Sequence, residues 1–428
     1  MSRSDMALRA SYVLFLLMLL FSVTACDKDD PSSPELPDNS VSRSVLVYIV
    51  AENRLVNFAP DDIGEMLAGR NGMTENDRLF IYLDGDSLPC IYEIDKHTKA
   101  ETFQQLKPFY TYPEDCNSAS AEQLKDFIAR VQSHYPADEY GLVMWSHGSG
   151  WVPMTVSTRP YASYAKGPKR TFGVDNGTNG NSDFGDEMEI LDMAAVLRSF
   201  SPFRFILFDA CFMQNVEVAY ELKNVADYVI ASPAEIPGVG APYTALMPIF
   251  YADEFDPRAV VDAYVADFAN SLTDGALISS VSCRMLDSLA KATWKYLHPL
   301  TEVEETDPYG LTSLRFDGVQ NYFDYDRYYP NHLMPDFYDI FSVFKQALPN
   351  AEFDQWDSVY EQTVYRQSTS KWYSIYPVFN PLCTVDKSQY GGMTMFIPLD
   401  KYVANGHFFF ADWLKTDWGR RMSQDTND

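Results

Sequence analysis

The sequence predicts an α/β protein built on a mostly parallel central sheet, and three observations carry that prediction. Residues 44–50 (SVLVYIV), 78–83, 141–145, 204–208 and 227–231 are short apolar runs rich in β-branched and aromatic residues. Runs that are apolar on both faces suit strands covered on both sides. Between them, residues 61–67, 121–134 and 192–200 place apolar side chains three and four apart, the period of a helix. Strand and helix alternate, which points to helices on both faces of one sheet. Two of the runs also stop abruptly before a reactive side chain, His147 after the third and Cys211 after the fourth. Open sheets of this kind bind ligands beyond the carboxyl ends of their strands, where both residues fall.

The N-terminus is read separately. Arg3 and Arg9 flank the apolar stretch 12–21, and small residues follow up to Cys26. A basic start, a short apolar core and a small-residue end form a secretory signal over residues 1–25. The stretch is too short for a comfortable membrane span. Cysteine directly after the small residues resembles a bacterial lipobox, which implies a lipidated Cys26 and a membrane tether. Residues 26–43 contain DKDDPSSPELPDNS, acidic and rich in Pro and Ser, the composition of a disordered tether. Acids just after Cys26 resemble a surface-export signal, so the expected location is the bacterial envelope, at the outer membrane or cell surface.

Residues 44–300 then form the expected core, and 301–428 complete or decorate it. Asp192 is placed to cap or open its helix. Residues 152–182 break the alternation and gather Arg159, Lys166, Lys169 and Arg170 in a segment rich in Gly, Asn, Ser and Thr. A stretch that long without periodicity is usually functional or disordered. Residues 232–243 (SPAEIPGVGAPY) form a Pro/Gly loop suited to a pocket wall. Beyond it, 259–272 reads as a helix, 276–283 and 391–399 as strands, and 408–422 as a terminal helix. Residues 316–338 are crowded with Tyr, Phe and Asp.

The net charge of −27 argues against a nucleic-acid partner, which requires a basic footprint. Five cysteines follow Cys26, and none stands at metal-ligand spacing, so no metal site is assigned. An odd number leaves at least one thiol free. There is no Cys-x-x-Cys for thiol transfer.

A thiol and an imidazole at two strand ends form a candidate nucleophile and base. A cysteine attacks as thiolate, and its ordinary pKa of about 8.5 leaves little of it ionised at neutral pH. A nearby imidazole takes the proton and later protonates the leaving group. Gly148 leaves the backbone open, and its amide with that of Cys211 forms a candidate oxyanion hole.

The motifs around the pair carry a resemblance. YIVAENRL (48–55), WSHGSGW (145–151), FDACFMQNVEVAYEL (208–222), ASPAEIPGVGAPY (231–243), VQNYF (319–323), DFYDI (336–340) and the GGMTMFIP strand are similar to segments of the clostripain family of cysteine peptidases. That family belongs to the caspase-like clan, with legumain, gingipains and separase. The resemblance implies a caspase-like α/β/α sandwich with Cys211 as nucleophile and His147 as base. It further implies protein or peptide substrates cut after Arg or Lys. Asp209 stands where the family acid reads the basic side chain, as a carboxylate at a pocket floor would. Glu235 is a second candidate to line that pocket. Some members cut themselves in the loop after the histidine, which predicts cleavage here after Lys169 or Arg170. Ser146, Pro233 and Ala241 depart from the usual pattern. Some members need calcium; the acidic residues here show no EF-hand spacing, so the sequence places no such site. A surface lipoprotein that kept the scaffold and captures peptides or glycans through its Tyr-rich half is the alternative.

Overall fold

The computed structural model describes residues 41–152, 172–177, 185–200, 202–301, 318–322, 337–347, 353–373, 382–398 and 408–423. The chain begins with β1 (Val41–Val50), α1 (Ala59–Gly69), β2 (Asp77–Asp84), β3 (Cys90–Ile94), β4 (Tyr110–Thr111), α2 (Ala121–His134) and β5 (Ala137–Trp145). A small hairpin, β6 (Phe172–Asp175) and β7 (Asp186–Met188), precedes α3 (Ile190–Leu197), β8 (Phe203–Asp209), α4 (Val216–Glu221) and β9 (Ala226–Ala231). Next come α5 (Tyr243–Phe250), α6 (Pro257–Phe268), β10 (Leu277–Ser282) and α7 (Leu286–Thr301). The remaining elements are β11 (Tyr338–Asp339), α8 (Asp354–Thr363), β12 (Val364–Ser368), β13 (Lys371–Tyr373), β14 (Leu382–Thr384), β15 (Thr394–Met395), α9 (Phe408–Trp413) and α10 (Asp417–Ser423).

Nine strands form one sheet in the order β12-β10-β9-β8-β5-β1-β2-β3-β4. The five central strands, β9 to β2, pair in parallel, and the pairs outside them are antiparallel. From β1 the chain runs outward to β4, then crosses back to lay β5 on the other side of β1. The strand order therefore reverses between β1 and β5, the place where open α/β sheets form their sites.

Alternation along each strand divides the core in two. Leu46, Tyr48 and Val50 of β1 pack with α2, α3, α4, α7 and α8. Val45, Val47 and Ile49 pack with α1, α5 and α6. Successive side chains of a strand point to opposite faces, so an all-apolar strand fills both layers. The result is a three-layer α/β/α sandwich. The helices start where their sequences favour it. Ser120 accepts from the Gln123 amide (3.2 Å) at the start of α2, and Asp256 accepts from the Arg258 amide (2.9 Å) at α6, which has Pro257 in its first turn.

Several expectations are refined. Residues 276–283 do form a strand, β10, but an antiparallel one. Among the described residues of 391–399, only Thr394–Met395 is extended in a ladder. The terminal helix is two helices, because Thr416 Oγ1 takes the Gly419 amide (2.9 Å) and begins a new one. Asp192 lies in the first turn of α3 rather than at its cap, which is Glu189.

The described C-terminal residues are built into this sandwich. β12 is an edge strand of the main sheet, and the Thr394 amide donates to the Gln214 carbonyl (3.0 Å). Glu217 of α4 accepts from the Phe396 amide (3.0 Å) and from Trp413 Nε1 (3.1 Å). Tyr322 and Phe337, from the aromatic stretch, are buried, and Tyr322 donates to Asp339 (2.6 Å). No helix among the described residues is long and apolar enough to cross a membrane.

Candidate active site

Register brings His147 and Cys211 to the same end of neighbouring strands. Trp145 of β5 lies opposite Asp209 of β8 in the parallel ladder. His147 and Cys211 each follow two residues later, so they leave the sheet at the same level on neighbouring strands. The Ser146 amide donates to the Asp209 carbonyl (3.3 Å), which keeps the two chains side by side just past the ladder.

Glycine makes the close approach sterically feasible. A Cβ at position 148 would lie 2.6 Å from the Cys211 carbonyl oxygen and 2.9 Å from Met213 Sδ. At position 150, where φ is +68°, it would lie 2.4 Å from Asn215 Nδ2. Among the described residues, no backbone carbonyl accepts from the amide of Gly148 or of Cys211. The His147 carbonyl accepts from the Gly173 amide (3.0 Å), so β6 holds the histidine segment from outside the sheet. Ser146, where the usual family pattern differs, donates to the Val50 carbonyl (2.7 Å) and ties this segment to the end of β1.

The chain turns sharply after the thiol. Phe212 has φ +59°, a conformation that L side chains rarely adopt. Its amide donates to the Ala234 carbonyl (2.9 Å), its carbonyl accepts from Asn215 Nδ2 (2.6 Å), and its ring packs 4.9 Å from that of Phe337. These contacts offset the strain and fix the turn. Cys211 is half-buried, and its Sγ accepts from the Ile236 amide at 3.4 Å. Burial pushes the thiol up to about 12; the charge of Glu235 pushes the same way, and the Ile236 amide opposes both. His147 and Glu235 are both half-buried.

Below the thiol lies a carboxylate pair. Asp209 is 3% exposed; its Oδ2 accepts from the Ala241 amide (3.0 Å) and Tyr243 Oη (2.7 Å), while its Oδ1 is buried without a hydrogen bond. Asp62, in the first turn of α1, is 2% exposed and accepts from Trp145 Nε1 (2.6 Å). Burial raises the pKa of both, and the charge of Asp209 raises Asp62 further. Gly240, at φ +67°, crosses both: a Cβ there would lie 2.8 Å from Asp209 Oδ2 and 3.0 Å from Asp62 Oδ2. The 232–243 loop thus wraps the pair closely. Sequence reasoning missed Asp62, whose only local signal is an acid near a helix start. Lys169, Arg170 and Cys26 lie outside the described residues.

A three-layer α/β/α sandwich with Cys and His at adjacent strand ends defines a cysteine peptidase of the caspase-like class. The chain belongs to the clostripain family, whose sequence model matches residues 47–376. It is similar to clostripain of Hathewaya histolytica, 25% identical over 228 residues, which make up 47% of this chain and 40% of that protein. Among solved structures it is similar to an inactive zymogen C11 protease from Parabacteroides distasonis. That likeness has a TM-score of 0.71 and 26% identity, covering 90% of this chain and 99% of the other. It is also similar to a secreted C11 cysteine protease from Bacteroides thetaiotaomicron in complex with an irreversible peptide inhibitor. There the TM-score is 0.69 and the identity 27%, covering 89% of this chain and 98% of that one.

Proposed function

We propose that this cysteine peptidase is a lipid-anchored endopeptidase of the bacterial envelope that cleaves peptide bonds after Arg or Lys through a Cys211–His147 dyad. The observation that carries this reading is the register that brings His147 and Cys211 out of the sheet at one level. Cys211 Sγ attacks the scissile carbonyl carbon as His147 takes its proton. The oxyanion is received by the amides of Gly148 and Cys211, each such donor being worth roughly 3 kcal/mol in comparable sites. His147 then protonates the departing amine, and water hydrolyses the thioester to regenerate the thiol. The high pKa of the buried thiol fits a pair in which the proton moves only as substrate arrives.

The basic side chain of the substrate meets Asp209 and Asp62 at the pocket floor, with Glu235 on the wall. A guanidinium or ammonium there supplies a partner to the free oxygen of Asp209 and relieves two carboxylates that burial makes costly to ionise. The other oxygen of Asp209 holds the Ala241 and Tyr243 ends of the loop, so the residue also has a structural task. Self-cleavage is placed after Lys169 or Arg170. The tether is the lipidated Cys26, and the secreted description of the Bacteroides thetaiotaomicron relative is in keeping with an exported protein.

The test is hydrolysis of fluorogenic peptides with Arg, Lys, Ala or Asp before the scissile bond, with and without calcium. Arg and Lys substrates should be cut, and Cys211→Ala should abolish cutting. Activity on Ala but not Arg would refute the assignment of Asp209. A Cys211→Ala chain nicked as fast as the parent would refute self-cleavage. No hydrolysis by freshly reduced protein, with no Cys211 labelling by an Arg-based electrophile, would favour the binding protein.

A further inference from the structure

An apolar side chain stands open to solvent beside the carboxylate pair. Among the described residues, four large apolar side chains are exposed: Leu88, Phe109, Val239 and Leu272. Of these, Val239 belongs to the loop that crosses the site, and it is 53% exposed. The turn that displays it is firmly held. The Gly240 amide donates to the Pro237 carbonyl (3.0 Å) and closes the turn. One end is pinned at the thiol, where the Ile236 amide reaches Cys211 Sγ (3.4 Å), and the other at Asp209, which takes the Ala241 amide (3.0 Å). The half-buried ring of Phe58 supports the middle, since a Cβ at Gly238 would meet its Cζ at 3.0 Å. The main chain at the tip is unused. Among the described residues, neither Gly238 nor Val239 spends its amide or carbonyl on a hydrogen bond.

Strand order decides which part of a substrate passes this turn. β8, which delivers the thiol, lies between β5, which delivers His147, and β9, which leads into the 232–243 loop. The departing amine takes its proton from His147 and so leaves on the β5 side. The half of the peptide on the amino side of the cut then lies toward the loop. Its last residue has its carbonyl carbon at Sγ, beside Ile236, and its basic side chain on the carboxylates beneath Gly240. In an extended peptide the residue before that one points the opposite way, out of the pocket. Val239 is turned out into solvent in the same manner, and Gly238 next to it has no side chain to fill the space.

We propose that Val239, with the half-buried Ile236, forms a subsite for an apolar side chain at the position immediately before the basic residue of the substrate. Covering Val239 with a Leu or Phe side chain removes apolar surface of both partners from water. The free amides and carbonyls of Gly238 and Val239 can bond the main chain of a peptide laid alongside them. An acidic residue at that position is disfavoured, because Glu235 stands next to Ile236 in the same loop and like charges repel. The preferred sequence is therefore an apolar residue followed by a basic one. The subsite rests on the reading that the basic side chain occupies the acid pocket, which orients the peptide.

The experiment gives the full chain a matched set of fluorogenic peptides, with Arg or Ala before the cut and Leu, Ser or Glu before that residue. In the Arg series kcat/KM should be about tenfold higher with Leu than with Ser, and lowest with Glu. Val239→Ser should shrink the Leu-to-Ser ratio to about twofold, the loss falling on the Leu peptide. Val239→Lys should cut the Glu peptide faster than the parent does, a gain that misfolding cannot produce. Equal rates on the Leu and Ser peptides in the parent would overturn the subsite, as would an unchanged ratio in Val239→Ser. The acid pocket fails separately. Ala peptides cut as well as Arg peptides, with the Leu preference and its loss in Val239→Ser intact, would refute the role of Asp209 and leave the subsite standing. No hydrolysis of any peptide by freshly reduced protein would overturn both.

Discussion

At Gly148 the absence of a side chain is a structural requirement. The nearest obstacle to a Cβ is the backbone oxygen of Cys211, which no rotamer change can move. Gly148→Ala should therefore destabilise the fold by about 1–3 kcal/mol, the usual cost of overpacking. It should also lower peptidase activity more than the loss of folded protein explains; melting curves beside peptide hydrolysis check this. Asp209→Asn tests a different property. The amide keeps an oxygen for Ala241 and Tyr243 but loses the charge, so folding should survive while cleavage after Arg and Lys falls by at least tenfold. A variant with unchanged preference for basic residues would place the recognition elsewhere. The positions of His147, Cys211, Gly148 and Asp209 at neighbouring strand ends were legible, because the apolar pattern marks where those strands stop. Asp62 was not, since its proximity to Asp209 arises from α1 packing beneath a loop nearly two hundred residues away.

Between the residue and the whole stand the elements that hold the site, and α4 is the clearest. It begins five residues after Cys211 and anchors the C-terminal segment through Glu217, which is wholly enclosed and receives Phe396 and Trp413. Glu217→Ala would strand two buried donors, each worth about 1–3 kcal/mol when left unpaired. The expected result is a melting midpoint several degrees lower and earlier proteolysis of the segment around residues 394–413. Limited proteolysis with mass mapping distinguishes this from uniform destabilisation. The central parallel strands were readable because burial on both faces demands continuous apolar runs. The edges were not. β12 reads VYRQS and β4 is only two residues long, and a strand with one exposed edge carries no such constraint. The single helix expected at 408–422 divides at Thr416, because a side-chain oxygen there competes for the Gly419 amide.

For the whole molecule, the enclosed carboxylates set the pH response. Burial pushes Asp339 up to about 6 and Glu217 up to about 7, against their local hydrogen bonds. In the unfolded chain both titrate near the ordinary carboxylate range, about 4. The folded state therefore binds more protons between those values. The stability this contributes is full below about pH 4 and declines as the pH rises through about 6 to 7. Melting curves should accordingly show a midpoint that falls from pH 5 to pH 8. A midpoint that rises across that window would refute the assignment. Glu217→Gln should make the fall shallower.

The sequence by itself determined the sandwich and the strand ends at which His147 and Cys211 stand. Strands buried on both sides must be apolar throughout, and the residues that end them must stand at the sheet's carboxyl edge. Tertiary structure alone decided which carboxylates meet. Asp62 meets Asp209 because the 232–243 loop packs against α1 and the end of β8, and Glu52 lies by Asp84 and Asp175 because β1 pairs with β2 and the β6 hairpin folds against the end of β1. Their spacing along the chain holds no trace of either cluster, because proximity across a sheet is a property of strand order and not of local pattern.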